Sequence, residues 1–187
     1  MTAPVSLVPY PVPTDFEGPK AWVGCLACYN SGDLVGEWFD ACEAADVTLT
    51  VLHLDHPQKE GCEELWVFDV DGIPVNEEMS PIEAANWGNL LLSVDERLQP
   101  AFYAWISSGA ASLGDDGLPD PEAFEEAFVG TFSGFREYSD HLADETLLYD
   151  SNDELRRYFD SESFARDLKM DYVVEPLPDG NVTVFHM

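Results

Sequence analysis

Apolar residues along the chain fall into short bursts that change period several times. Ala21 to Ala27 is a nearly unbroken apolar run that predicts a strand, and Asn30-Ser-Gly32 predicts a turn after it. Leu34 to Phe39 and Glu64 to Val70 predict second and third strands. Val47 to Leu54 stays open: its β-branched residues favour strand, while Val47, Val51 and Leu54 fit one helix face. Ser80-Pro-Ile-Glu83 predicts a helix start, with a serine cap, proline in the first turn and a glutamate able to close a capping box. Ala84, Trp87, Leu91, Val94 and Leu98 continue it at spacings of three and four, with Gly88 as a candidate break. Pro100 to Ile106 predicts another helix, and the Gly-, Ser- and Asp-rich stretch 107–118 a loop.

The second half reads the same way. Asp120-Pro121 opens a helix to about Phe128, and Val129 to Phe132 predicts a short strand. Ser133 is the expected cap of a helix with Phe135, Tyr138 and Leu142 inward, and Ser151-x-x-Glu154 is a second capping box. Ser161 to Leu168 predicts a helix. Asp171 to Val174 and Asn181 to Phe185 predict strands joined across Pro178-Asp-Gly180. There is no internal repeat. Residues 1–19 hold five of the thirteen prolines and predict an extended arm. The class is α+β, with short antiparallel sheets.

Composition narrows the possibilities. The chain has 187 residues, of which 45% are apolar, which excludes disorder throughout. It carries 37 Asp and Glu against 8 Lys and Arg, a net charge of −29. Direct binding to nucleic acid or to an anionic membrane would be repelled. No apolar run approaches the ~20 residues of a membrane span, and no secretory signal is expected, so the expected location is cytoplasmic. The acids are spread between the basic residues rather than gathered in a tail. Self-repulsion of this size opposes the compact state. Solubility, or adaptation to high salt, would explain it blandly; the sharper reading makes the acidic surface the working part and the partner basic.

Chemistry is sparse. Cys25-Leu-Ala-Cys28 has a spacing used by zinc and redox sites, but the remaining cysteines, Cys42 and Cys62, do not form a second close pair. The expectation is that Cys25 and Cys28 are small buried hydrophobes and that the protein holds no metal. His53-Leu-Asp-His56 is the one histidine cluster and lacks a metalloprotease context. Asp69-Val-Asp71-Gly72 lacks the further ligands of a calcium loop and reads as a turn. No nucleophile elbow, Walker loop or dinucleotide fingerprint is present, and among 37 carboxylates some pair always lies at glycosidase distance. The expectation is a non-enzyme without cofactors.

Trp22 to Asn30, followed by Leu34 to Ala41, resembles the opening of the ArdA antirestriction proteins. Glu64 to Gly72 resembles the strand and turn that follow in them, and Phe124 to Phe132 and Tyr158 to Leu168 resemble their later motifs. The resemblance covers 21–187. Residues 47–54, with strand-like composition where the family is helical, and the long loop 107–118 depart from the pattern. The resemblance implies an elongated acidic homodimer of three small domains that mimics duplex DNA. It implies occupation of the DNA-binding site of type I restriction–modification enzymes, sparing foreign DNA from cleavage, and carriage on mobile elements. At the duplex spacing of about 1.7 Å per charge, −29 would cover roughly 49 Å of axis, and two copies roughly 98 Å.

The expected division is a Pro-rich arm at 1–19, an α+β domain at 20–75, a helical domain at 76–118 and an α+β domain at 119–187, the candidate dimerisation region. The expected mimic surface is Asp115, Asp116, Asp120, Glu122, Glu125, Glu126, Glu137, Asp140, Asp144, Glu145, Asp150, Asp153 and Glu154, thirteen acids against one base, Arg136. Glu137, Asp140 and Asp144 share one helix face, where like charges should repel by about 0.2–0.5 kcal/mol per pair. Alternatives are an acidic module for another basic protein, such as a nucleoid protein, and a carboxylate-dependent hydrolase.

Overall fold

The computed structural model describes residues 18–75 and 77–187, so the expected Pro-rich arm lies almost wholly outside the described residues. The chain divides into two compact units. One runs to Gln99 and takes in Leu113–Leu118; the other is Pro100–Ser112 with Pro119–Met187. The expected middle domain, 76–118, is shared between them.

In the first unit β1 (Lys20–Cys25) runs directly into the short helix α1 (Leu26–Asn30). It is followed by β2 (Gly36–Asp40), a 3₁₀ turn at Ala41–Asp46, α2 (Leu49–Leu52), β3 (Leu65–Asp71) and α3 (Pro81–Ser93). The strands form an antiparallel sheet in the order β2-β1-β3. Alternation along β1 buries Ala21, Val23 and Cys25 on one face. On the other face Trp22 stands opposite Trp38. The Trp22 indole lies over Gly24 and Gly36, where an added Cβ would meet the ring at 2.6 and 2.4 Å. Within residues 47–54 a single helical turn forms at Leu49–Leu52, where Thr48 Oγ1 accepts from the Val51 N–H at 3.3 Å. The buried face is not the expected one, since α2 buries Leu52 while Val51 and Leu54 stay exposed.

The capping box of α3 forms as predicted. Ser80 Oγ accepts from the Glu83 N–H at 3.2 Å, and the Ser80 N–H donates to Glu83 at 2.7 Å. The helix does not break at Gly88, which is where it packs on the Ala41–Asp46 turn. An added Cβ there would lie 2.5 Å from the backbone nitrogen of Cys42. Helix propensity alone favours alanine over glycine by about 1 kcal/mol. The contact reverses the sign: Gly88→Ala should lower the urea midpoint at unchanged m-value, because backbone cannot move aside cheaply. A raised midpoint would mean that α3 and the turn are not held this closely.

The second unit contains α4 (Gln99–Ser107) from Pro100 onward, α5 (Pro121–Ala127), β4 (Phe128–Phe132), α6 (Phe135–Thr146), α7 (Asp153–Tyr158), α8 (Ser161–Leu168), β5 (Tyr172–Pro176) and β6 (Val182–His186). Its antiparallel sheet has the order β4-β6-β5. Phe124 anchors the core, with ring centroids of Phe102 at 5.0 Å, Phe128 at 5.4 Å and Trp105 at 5.7 Å. Tyr138 packs between Phe132 and Phe135 and donates its hydroxyl to Tyr172 at 2.8 Å. Two expected caps shift by one residue. Gly134, not Ser133, is the cap of α6, and Asn152, not Ser151, caps α7 by accepting from the Leu155 N–H at 2.9 Å.

Candidate functional site

The acidic side chains are placed by helix ends and exposed helix faces. In α5 the buried Phe124 turns Glu122, Glu125 and Glu126 toward solvent. Asp120 starts the helix, accepting from the Glu122 N–H at 2.9 Å. Asp150 precedes α7, and Asp153 and Glu154 occupy its first turn, where the helix dipole favours negative charge. Asp115 and Asp116 belong to the first unit, and Asp116 accepts from the Leu118 N–H at 3.1 Å. Glu145 is exposed on α6. Of the thirteen expected surface acids Asp140 alone is half-buried and the rest are exposed.

Each carboxylate of the stripe on α6 has a partner that the helix-face reading did not include. Glu137 accepts from both the N–H and the hydroxyl of Ser133, at 2.7 and 2.8 Å, and these bonds hold its carboxyl below the usual range. Asp140 receives the Arg136 guanidinium at 2.9 Å, and Asp144 receives Arg156 from α7 at 2.7 Å. Elsewhere Arg97 lies against Asp95, Arg166 against Asp167 and Lys59 against Asp33. The Arg97 side chain, with its N–H, pulls Asp95 down to about 2. At least five of the eight cations are thus engaged with neighbouring carboxylates among the described residues. Exposed pairs of this kind add little stability, ~0–1 kcal/mol each. Their number matters more: eight cations can pair one to one with only a small part of the 37 acids.

Residues 21–183 match the family model described as antirestriction protein (ArdA). The chain belongs to the ArdA antirestriction family. No curated protein matches it. The family assignment agrees with the resemblance carried by Trp22–Asn30 and the motifs after it. Among the described residues no helix is long and apolar enough to cross a membrane.

A hydrolase would need a carboxyl raised inside a hollow. Burial raises Glu175, but that residue stands on β5 opposite Thr183. The first unit has a hollow lined by Trp66, Val75, Met79 and Trp87 together with the acids Glu77, Glu78, Glu83 and Asp116; Glu83 is held by the cap of α3, and Asp116 accepts from the Leu118 N–H.

One group of residues escaped the sequence reading. Cys25 and Cys28 are joined by Cys62 and His53, and one ligand atom from each lies within 4.8 Å of all the others. All four residues are buried. The spacing from Cys28 to His53 to Cys62 matches no compact pair, which is why the cysteine pattern gave no signal. Burial, then hydrogen bonding to Cys62 and Cys25, pushes the Cys28 thiol up to about 12.

Proposed function

We propose that this chain inhibits type I restriction–modification enzymes by occupying their DNA-binding site as a protein mimic of duplex DNA, without catalysis. The observation that carries the reading is an exposed acidic surface, present in both units and little relieved by bases, in a member of an antirestriction family. The enzyme's basic groove gives up its counterions to protein carboxylates in place of phosphates. Shape and charge suffice for this, and no base edge needs copying. Leu147, Tyr149, Leu155 and Tyr158 are exposed in the second unit, which supports pairing of two copies through 119–187.

Unmodified phage plated on a restricting host should recover most of its plating efficiency when the chain is expressed. An isogenic host lacking the enzyme should show no change. Unaltered restriction at confirmed expression would sink the reading. Another basic protein as target, such as a nucleoid protein, would show itself by competition with DNA for that protein and not for the restriction enzyme.

A further inference from the structure

We propose that Cys25, Cys28, His53 and Cys62 bind a structural zinc ion in tetrahedral coordination. Thiolates and an imidazole in a Cys₃His set are ligands that suit zinc. With Zn–S near 2.3 Å and Zn–N near 2.0 Å, tetrahedral ligand atoms stand about 3.5–3.8 Å apart. Cys28 Sγ and Cys62 Sγ are 3.6 Å apart, and the whole set lies within 4.8 Å. A disulfide would need about 2.05 Å, and all four cysteines of the chain are free thiols.

The histidine supplies an independent observation. His53 Nδ1 lies 3.3 Å from the carbonyl of His56. A carbonyl can only accept, so Nδ1 carries the proton and Nε2 carries the lone pair. Nε2 is buried and has no hydrogen-bond partner. A buried ring nitrogen held in this tautomer by a backbone carbonyl, with its lone pair unspent, is the usual arrangement of a metal-ligating histidine.

The surrounding core is small and rich in cysteine. The core cluster here consists of Cys25, Cys28, Val35, Leu52 and Cys62, so three of its five buried members are cysteines. The elements meeting at it are the end of β1, the five-residue α1 and the four-residue α2, and helices this short do not persist alone. Gln58 donates to the Cys62 carbonyl at 3.0 Å, and the Cys62 N–H donates to the Lys59 carbonyl at 3.3 Å, which shapes the loop presenting Cys62. Zinc with three thiolates and a neutral imidazole carries one net negative charge. Lys59, one of only eight cations in the chain, is placed on this loop and pairs with Asp33. The expectation that Cys25 and Cys28 are plain hydrophobes rested on a missing second pair, and the fold brings His53 and Cys62 to that place.

The test is metal analysis of untagged protein purified without chelator. One zinc per chain is expected. Cobalt added to the stripped protein should give the intense visible bands of tetrahedral coordination with thiolate charge transfer. Stripping should lower Tm by about 10 °C or more, restored by zinc and not by magnesium. Cys62→Ser should lose the metal, Cys42→Ser should keep it, and His53→Cys should retain it as a Cys₄ site. The proposal is overturned if the wild-type chain holds no zinc above background and gives no tetrahedral cobalt spectrum, or if mass analysis finds a Cys28–Cys62 disulfide. Since the wild-type measurements suffice, a variant that fails to fold leaves the test intact.

Discussion

Replacing Asp115, Glu125, Glu126, Glu145 and Asp150 together by their amides should weaken inhibition of DNA cleavage about seventyfold while raising Tm. The five carboxylates are exposed and make no hydrogen bond or ion pair with other described residues. Each contact with a basic groove is worth ~0–1 kcal/mol, so five at the middle of that range cost about 2.5 kcal/mol of binding. Removing unrelieved charge reduces self-repulsion, including that between Glu126 and Glu122 at i,i+4 on α5. Opposite signs for binding and stability identify acid kept for function. The single change Glu145→Gln should barely alter inhibition, because no one carboxylate is essential on a distributed surface. The triple change at Glu137, Asp140 and Asp144 behaves differently. It removes the partners of Ser133, Arg136 and Arg156 and should lower Tm. Complete loss of inhibition from one folded single variant would point to a discrete site instead.

Salt should likewise act in opposite directions on the free chain and on its complex. At −29, screening relieves the folded chain of repulsion, so Tm should rise between low salt and physiological salt. Over the same range the affinity for the target should fall by about ten- to a hundredfold, as steering and pairing between acid and base are screened. Protein carboxylates are less densely spaced than phosphates, so the slope should be shallower than that of the same enzyme with DNA. The two curves come from thermal melts and from titrations at matched salt. An affinity indifferent to salt would contradict a charge-based mechanism.

What was legible from the chain is what neighbours in sequence decide. Ser80, Pro81 and Glu83 start α3 through bonds spanning three residues, and Asp120 with Pro121 starts α5 in the same local way. Residues with comparable local claims were misplaced by one: Asn152 lies beside Ser151 and takes the cap, and Gly134 displaces Ser133. Residues 47–54 read as strand or helix because composition and periodicity compete there, and the Thr48 cap starts a helical turn at Leu49–Leu52. Arg136 to Asp140 was a local i,i+4 pair and could have been read; Arg156 reaching Asp144 from another helix could not. The Cys₃His cluster had half its signal in Cys25 and Cys28. The other half depends on the loop from His53 to Cys62 folding back, a tertiary event without a fixed spacing. Likewise Gly88 looks like a helix breaker in sequence and is a packing contact in space.

The most direct measurement is displacement of labelled, unmodified duplex DNA from a purified type I restriction–modification enzyme by this chain. DNA mimicry predicts competition: the apparent Kd for DNA should rise in proportion to added chain, with no ternary complex. Cleavage blocked while the DNA stays bound would contradict it.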